Sequence, residues 1–195
     1  VVFAGADNQE LLGPHLDFYG NAVVIEHEPR FQGQPVYTLY GHLNEVYVTV
    51  GQFVQAQEVL GISGATGVAD GAHMHFEVRV GANSYESTRN PLLWLYPFPD
   101  RGTIAGRVTF SNGAVAYEAP VSIRRIDGGE GTTATTTTYA GETLNADEGW
   151  GENFVIDDVY AGYYEVTVKD GKEKYTAEVW VYPRQTSFVE IVVGE

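Results

Sequence analysis

The chain has 195 residues, of which 44% are hydrophobic and 13% aromatic, and its formal net charge is −15 at pH 7. Such a length holds one large or two modest domains, and the apolar content supports a real core. The acidity is spread over both halves, so neither offers the basic patch that nucleic acid or an anionic membrane requires; with no cysteine, a disulfide or a thiolate metal site is excluded.

The 23 glycines, with many aromatic and β-branched residues, favour strands and tight turns. No run is apolar for long enough to span a bilayer. The chain opens inside an apolar stretch, Val1-Val2-Phe3-Ala4, with no initiator Met and no signal peptide. A mature or trimmed product is expected.

In chain order, residues 1–13 read as a strand and a loop that closes at Gly13-Pro14. Asn21 to His27 reads as a strand after a Tyr19-Gly20 turn, and Val36 to Leu43 as the next. On that second strand Tyr40 and His42 are expected to share a face, with Gly41 removing the side chain between them. A glycine inside a strand often marks a close backbone approach. Val46–Val50 and Glu58–Ser63 are expected as short strands, and Gly64 to Gly71 as a three-glycine loop. Pro91 to Tyr96 is the one plausible helix, with proline at its first position. Pro97-Phe98-Pro99-Asp100 reads as a linker.

The stretch His73-Met74-His75-Phe76-Glu77-Val78-Arg79-Val80 alternates strictly between polar and apolar residues. A period of two is the mark of a half-buried strand. His73 and His75 then lie ~7 Å apart on one face, given ~3.3 Å of rise per residue. That spacing is too wide for a helix-like chelating pair, and suits one metal ligand with one neighbouring acid/base. The alternative is a polar sheet face that happens to carry two histidines. Glu77 and Arg79 either support the site from behind its ligands or are solvated, and solvation is the favoured expectation.

After residue 102 the texture changes, and no histidine follows His75. Strands are expected at Thr103–Phe110, Val121–Ile126, Asn153–Val159, Tyr163–Lys169, Thr176–Tyr182 and Ser187–Val193. Short strands with a turn every 8–12 residues predict a β-sandwich. The threonine run from Thr132 to Thr138 reads as a solvated loop or edge strand, and Asp157-Asp158 as a turn.

Three stretches together resemble the lysostaphin-like zinc endopeptidases that cut peptidoglycan peptides. They are Tyr19-Gly20-Asn21-Ala22-Val23-Val24-Ile25-Glu26-His27; Tyr37-Thr38-Leu39-Tyr40-Gly41-His42-Leu43 with Val50-Gly51-Gln52; and Gly61-Ile62-Ser63-Gly64-Ala65-Thr66-Gly67 with His73-Met74-His75-Phe76-Glu77-Val78. The resemblance implies an all-β fold, with an antiparallel β-sheet peptidase domain over residues 1–98, and the β-sandwich expected from the turn spacing follows over 102–195. It implies His75 as a zinc ligand and His42 and His73 as catalytic histidines. It further implies Zn2+ as cofactor, a peptidoglycan or other peptide as substrate, and an extracellular or cell-envelope location. Nucleic acid and membrane insertion are not expected.

One departure stands against these matches. A catalytic zinc takes three protein ligands, and the family draws two of them from a His-x-x-x-Asp motif. None of the 195 residues forms that motif; His15-Leu16-Asp17 has the wrong spacing, and His27 reads as structural. Either the motif precedes Val1, or the chain is a degenerate relative that keeps the fold and serves as a non-catalytic wall-binding or regulatory protein.

The second half resembles the transthyretin-like modules called carboxypeptidase regulatory-like, through Gly106-Arg107-Val108, Ala119-Pro120-Val121-Ser122-Ile123 and Asn153 to Tyr164. A carbohydrate-binding role would use Trp150 and Trp180, which otherwise read as core. The Val46–Gly61 region is similar to biotinyl-carrier hairpins. Those need an acceptor lysine, and the first lysine is Lys169 in the other half, which excludes them.

Overall fold

A computed structural model describes residues 1–129, 133–139, 144–147 and 149–194. The chain is all-β, and it divides into two compact units, Val1–Arg89 and Asn90–Glu195.

The first unit is one antiparallel sheet. Its strands are β1 (Phe3–Ala6), β2 (Asn21–Phe31), β3 (Gln34–Val46), β4 (Gly61–Ser63), β5 (His75–Val80) and β6 (Thr88–Arg89). The order is β1-β2-β3-β5-β6, with β4 also paired to β3. The long β3 therefore changes partner along one side. Residues 36–41 pair with β5, and residues 43–46 pair with β4. His42 sits at the change.

Both sheet faces are covered. Phe3, Leu12, Tyr19, Ala22, Val24 and Leu39 form one buried cluster. Val23, Leu43 and Val48 anchor a second, with Val1, Ile25, Val54 and Leu60 packed against it. The strands expected at 46–50 and 58–63 shrink to Gly61–Ser63. A Cβ on Gly61 would meet the Glu45 carbonyl oxygen at 2.2 Å, so pairing of β4 with β3 depends on that glycine.

Among its described residues the second unit has seven strands: β7 (Arg101–Phe110), β8 (Pro120–Arg125), β9 (Thr133–Thr137), β10 (Phe154–Tyr160), β11 (Gly162–Asp170), β12 (Glu173–Val181) and β13 (Thr186–Val193). One sheet runs β10-β7-β13, the other β12-β11-β8-β9. β13 pairs with β7 in parallel. A single core draws Ile104, Phe154 and Ile191 from the first sheet and Ile123, Tyr164 and Val179 from the second. The threonine run is the edge strand β9, with Thr132 outside the described residues. Asp157 and Asp158 lie in β10 rather than in a turn. The register shifts there, Asp158 has φ 54°, and Arg101 donates to both its carbonyl and its carboxylate, so a bulge absorbs the extra residue.

The expected helix at Pro91–Tyr96 is one 3-10 turn, Pro91–Leu93, capped by the Asn90 side chain, which accepts from Leu92 N at 3.0 Å. This turn packs against β10 and β7. Trp180 and Trp150 are not core residues: each is about half exposed, Trp180 stacked on Tyr163 and Trp150 on Phe188. No helix among the described residues is long and apolar enough to cross a membrane.

Glu152 is buried in the second unit, where it accepts from Asp147 N at 3.0 Å and from the Tyr139 hydroxyl at 3.3 Å. Burial pushes its carboxyl above the ordinary 4.5, and these bonds do not fully offset that. At Glu152 the folded state therefore holds its proton to higher pH than the unfolded state, so this group's contribution to stability falls as pH rises from about 4.5. In thermal melts, the drop in midpoint between pH 4.5 and pH 7 should be smaller for E152Q than for the unaltered chain.

Candidate functional site

β5 carries a gradient along its polar face. His73, just before the strand, is exposed; the His75 side chain is 30% exposed; Glu77 and Arg79 are 4% and 0% exposed. The expectation that Glu77 and Arg79 are solvated is therefore wrong. The segment between β1 and β2 folds over this end of the strand and brings Leu12 and Tyr19 onto it. Period-two alternation correctly placed the four polar side chains on one face. It could not show that a distant segment covers half of that face.

Beneath this cover the polar atoms are paired. Arg79 donates through Nε to Glu77 Oε2 at 2.9 Å, to Asn83 Oδ1 at 3.0 Å, and to the Leu12 carbonyl and Tyr19 hydroxyl at 2.9 and 3.0 Å. The Tyr19 hydroxyl in turn donates to Glu77 Oε1 at 2.5 Å, and His75 Nε2 lies 2.8 Å from the same oxygen. Burial raises the Glu77 carboxyl, but the His75 hydrogen bond and the Arg79 charge outweigh it and hold the group below its ordinary range. Burial and the Glu77 charge push the Tyr19 phenol well above its usual value. Tyr19 was legible in sequence only as a turn residue.

His42 reaches the cluster through a bulge. Asn21 pairs with Leu43 and Val23 with Tyr40, so Gly41 and His42 together oppose Ala22. His42 takes φ 58°, a conformation non-glycine residues adopt uncommonly. A bulge re-aims a side chain. Here it separates Tyr40 from His42, against the expectation that they share a face. Tyr40 pairs with Phe76, ring to ring at 5.3 Å, on the reverse face. Gly41 lies opposite His75, and a Cβ there would press on the Tyr19 ring at 3.0 Å.

Two loops hold the bulge. His42 N donates to the Tyr19 carbonyl at 2.8 Å, and His42 Nδ1 lies 2.9 Å from the Thr66 carbonyl. The Thr66 hydroxyl accepts from Asn21 N and donates to the Leu43 carbonyl, both at 2.9 Å. Gly20 and Gly67, at φ 64° and 70°, meet backbone to backbone. A Cβ on either would fall 2.4 Å from the other's nitrogen.

The result is a compact group of imidazoles. The His42 ring centroid lies 4.8 Å from that of His73 and 5.4 Å from that of His75, and His75 lies 5.1 Å from Tyr19. His73 Nδ1 is 2.8 Å from the Gly71 carbonyl. His27 stays apart on the reverse face, bonded to the Thr38 hydroxyl at 2.7 Å, with burial lowering its pKa. His15 packs edge-on against Phe18 and bonds to the Leu16 carbonyl. Among the described residues, no three His, Cys, Asp or Glu side chains are placed to hold one metal ion.

Residues 1–87, which carry this histidine group, match the family model "Peptidase family M23". That match lies within the first unit. Among curated relatives, the chain is 34% identical over 79 residues to the peptidoglycan DD-endopeptidase ShyB of Vibrio cholerae, covering 40% of this chain and 17% of that protein. It is 34% identical over 110 residues to the DD-carboxypeptidase/endopeptidase Mpg of Neisseria meningitidis, covering 56% of this chain and 23% of the relative. The chain thus spans about a fifth of these relatives' length. A solved structure, the catalytic domain of lysostaphin from Staphylococcus simulans, aligns at TM-score 0.40 with 28% identity, over 48% of this chain and 61% of that one.

Substituting Y19F keeps the ring and removes the hydroxyl that joins Arg79 to Glu77. Buried hydrogen bonds to charged groups contribute about 1.5–3 kcal/mol. Urea unfolding of Y19F should show the first unit destabilised by that amount.

Proposed function

We propose that residues 1–89 form the histidine-bearing part of a zinc-dependent endopeptidase that acts on peptidoglycan peptides outside the cell or in its envelope. The observation that carries this reading is the grouping of His42, His73 and His75 within the stretch that matches Peptidase family M23. The name of the ShyB relative, a peptidoglycan DD-endopeptidase, points to the same substrate class. In this reading His75 is a metal ligand, and His42 and His73 are the acid/base pair.

The donor set bears on that assignment. A catalytic zinc takes three protein ligands and keeps one open position, where it makes water nucleophilic. Among the described residues, the donors do not complete such a site. What the chain itself supplies is proton handling. A neutral imidazole takes a proton from the attacking water and returns it to the leaving amine as the C–N bond breaks. The second unit, in this reading, is a carboxypeptidase regulatory-like β-sandwich attached as an accessory module.

The incomplete donor set also favours a second reading, a wall-binding or regulatory protein that keeps the peptidase fold without cleavage. Zinc calorimetry and zymography separate the two. The 195-residue chain is expected to bind zinc weakly and to give no chelator-sensitive clearing of peptidoglycan. The same chain with a His-x-x-x-Asp segment fused ahead of Val1 should bind zinc and clear the gel, and H42A in it should lose about 10²-fold or more of the rate. Chelator-sensitive cleavage by the unfused chain would overturn the ligand assignment. A fused chain that binds zinc without cleaving would favour the second reading.

A further inference from the structure

We propose that Glu77 is a positioning residue: its carboxylate, fixed by Arg79 and Tyr19, holds His75 in the tautomer that carries hydrogen on Nε2 and leaves Nδ1 as a lone pair. The inference rests on the reading that His75 works in this site, but its test needs neither metal nor cleavage.

A carbonyl oxygen and a carboxylate oxygen accept hydrogen bonds and cannot donate them. Each imidazole in the cluster has one nitrogen against such an oxygen, so that nitrogen carries the hydrogen. His42 meets the Thr66 carbonyl through Nδ1 at 2.9 Å, and His73 meets the Gly71 carbonyl through Nδ1 at 2.8 Å. Both are set with Nε2 free. His75 is the reverse case: it meets Glu77 Oε1 through Nε2 at 2.8 Å. The cluster therefore offers two Nε2 lone pairs and one Nδ1 lone pair. The odd one is imposed by a side chain rather than by the backbone.

The arrangement of Glu77 exceeds what an ion pair with Arg79 requires. Oε2 alone meets Arg79, through Nε at 2.9 Å and in the ion pair to NH2 at 2.8 Å. Oε1 is kept for His75 and for the Tyr19 hydroxyl, which approaches at 2.5 Å. Arg79 also donates to Tyr19, which closes the ring of contacts and leaves the carboxylate no freedom to turn away. Residues two apart on a strand share a face, so His75, Glu77 and Arg79 stand in one row by backbone geometry alone.

The test is long-range 1H–15N correlation on chain labelled at histidine, recorded above the pH at which imidazoles titrate. Unaltered chain should show His75 as the Nε2–H tautomer and His42 and His73 as Nδ1–H. E77L alone would bury Arg79 without a counter-charge, so it is paired with R79M. Replacing a buried ion pair by apolar residues of similar volume is often tolerated. In E77L/R79M, folded by circular dichroism, His75 should lose its single-tautomer signature and show a mixture, while His42 and His73 stay unchanged. A His75 that remains Nε2–H in the folded double variant, or that is Nδ1–H in the unaltered chain, overturns the proposal.

Discussion

The Arg79 guanidinium has no exposed surface, and an uncompensated buried charge costs several kcal/mol. The first unit offsets that cost by drawing partners from three places: Glu77 on the same strand, Asn83 in the following turn, and Leu12 and Tyr19 from the segment between β1 and β2. That segment has little regular structure of its own. Its placement follows from the need to satisfy the charge and from the apolar contacts of Leu12 and Tyr19. Once seated, it turns half of a polar strand face into a sealed floor and leaves the other half, with His73 and His75, as an open mouth.

The histidine cluster is built on this floor and on a deliberate break in β3. A regular strand would send His42 to the face opposite His75. The two-for-one bulge against Ala22, with φ 58° at His42, brings it back. Such a conformation persists only where surrounding contacts fix it. Here the contacts are backbone bonds from the Tyr19 carbonyl and the Thr66 loop, held together by the Gly20–Gly67 approach. The charge network and the bulge meet in Tyr19, whose backbone serves the bulge and whose hydroxyl serves Glu77.

Much of this was legible in the sequence, for reasons tied to period and punctuation. β2, β3, β5 and six of the seven later strands show alternating or β-branched runs bounded by glycine turns. The histidines stood out because strand alternation put His73 and His75 on one side, and Gly41 beside His42 marked a close approach. What was not legible was non-local. Nothing near Glu77 in sequence announces that Tyr19 covers it. Alternation also assumes unbroken register, so it placed Tyr40 and His42 together where the bulge separates them. The threonines at 133–137 read as a loop or an edge strand, because edge positions tolerate solvent-facing side chains on alternate residues, and pairing with β8 makes them the edge strand.

The Gly64–Gly71 loop borders the histidines, but only part of it is free. Thr66 and Gly67 are committed to the bulge, Val68 N is bonded to the Phe18 carbonyl, and the Gly71 carbonyl holds His73. An insertion before Val68 would unseat His42, and one after Gly71 would release His73. The graft point is therefore the short interval between Val68 and Gly71, where added residues can lengthen the loop without touching the contacts that hold His42 and His73.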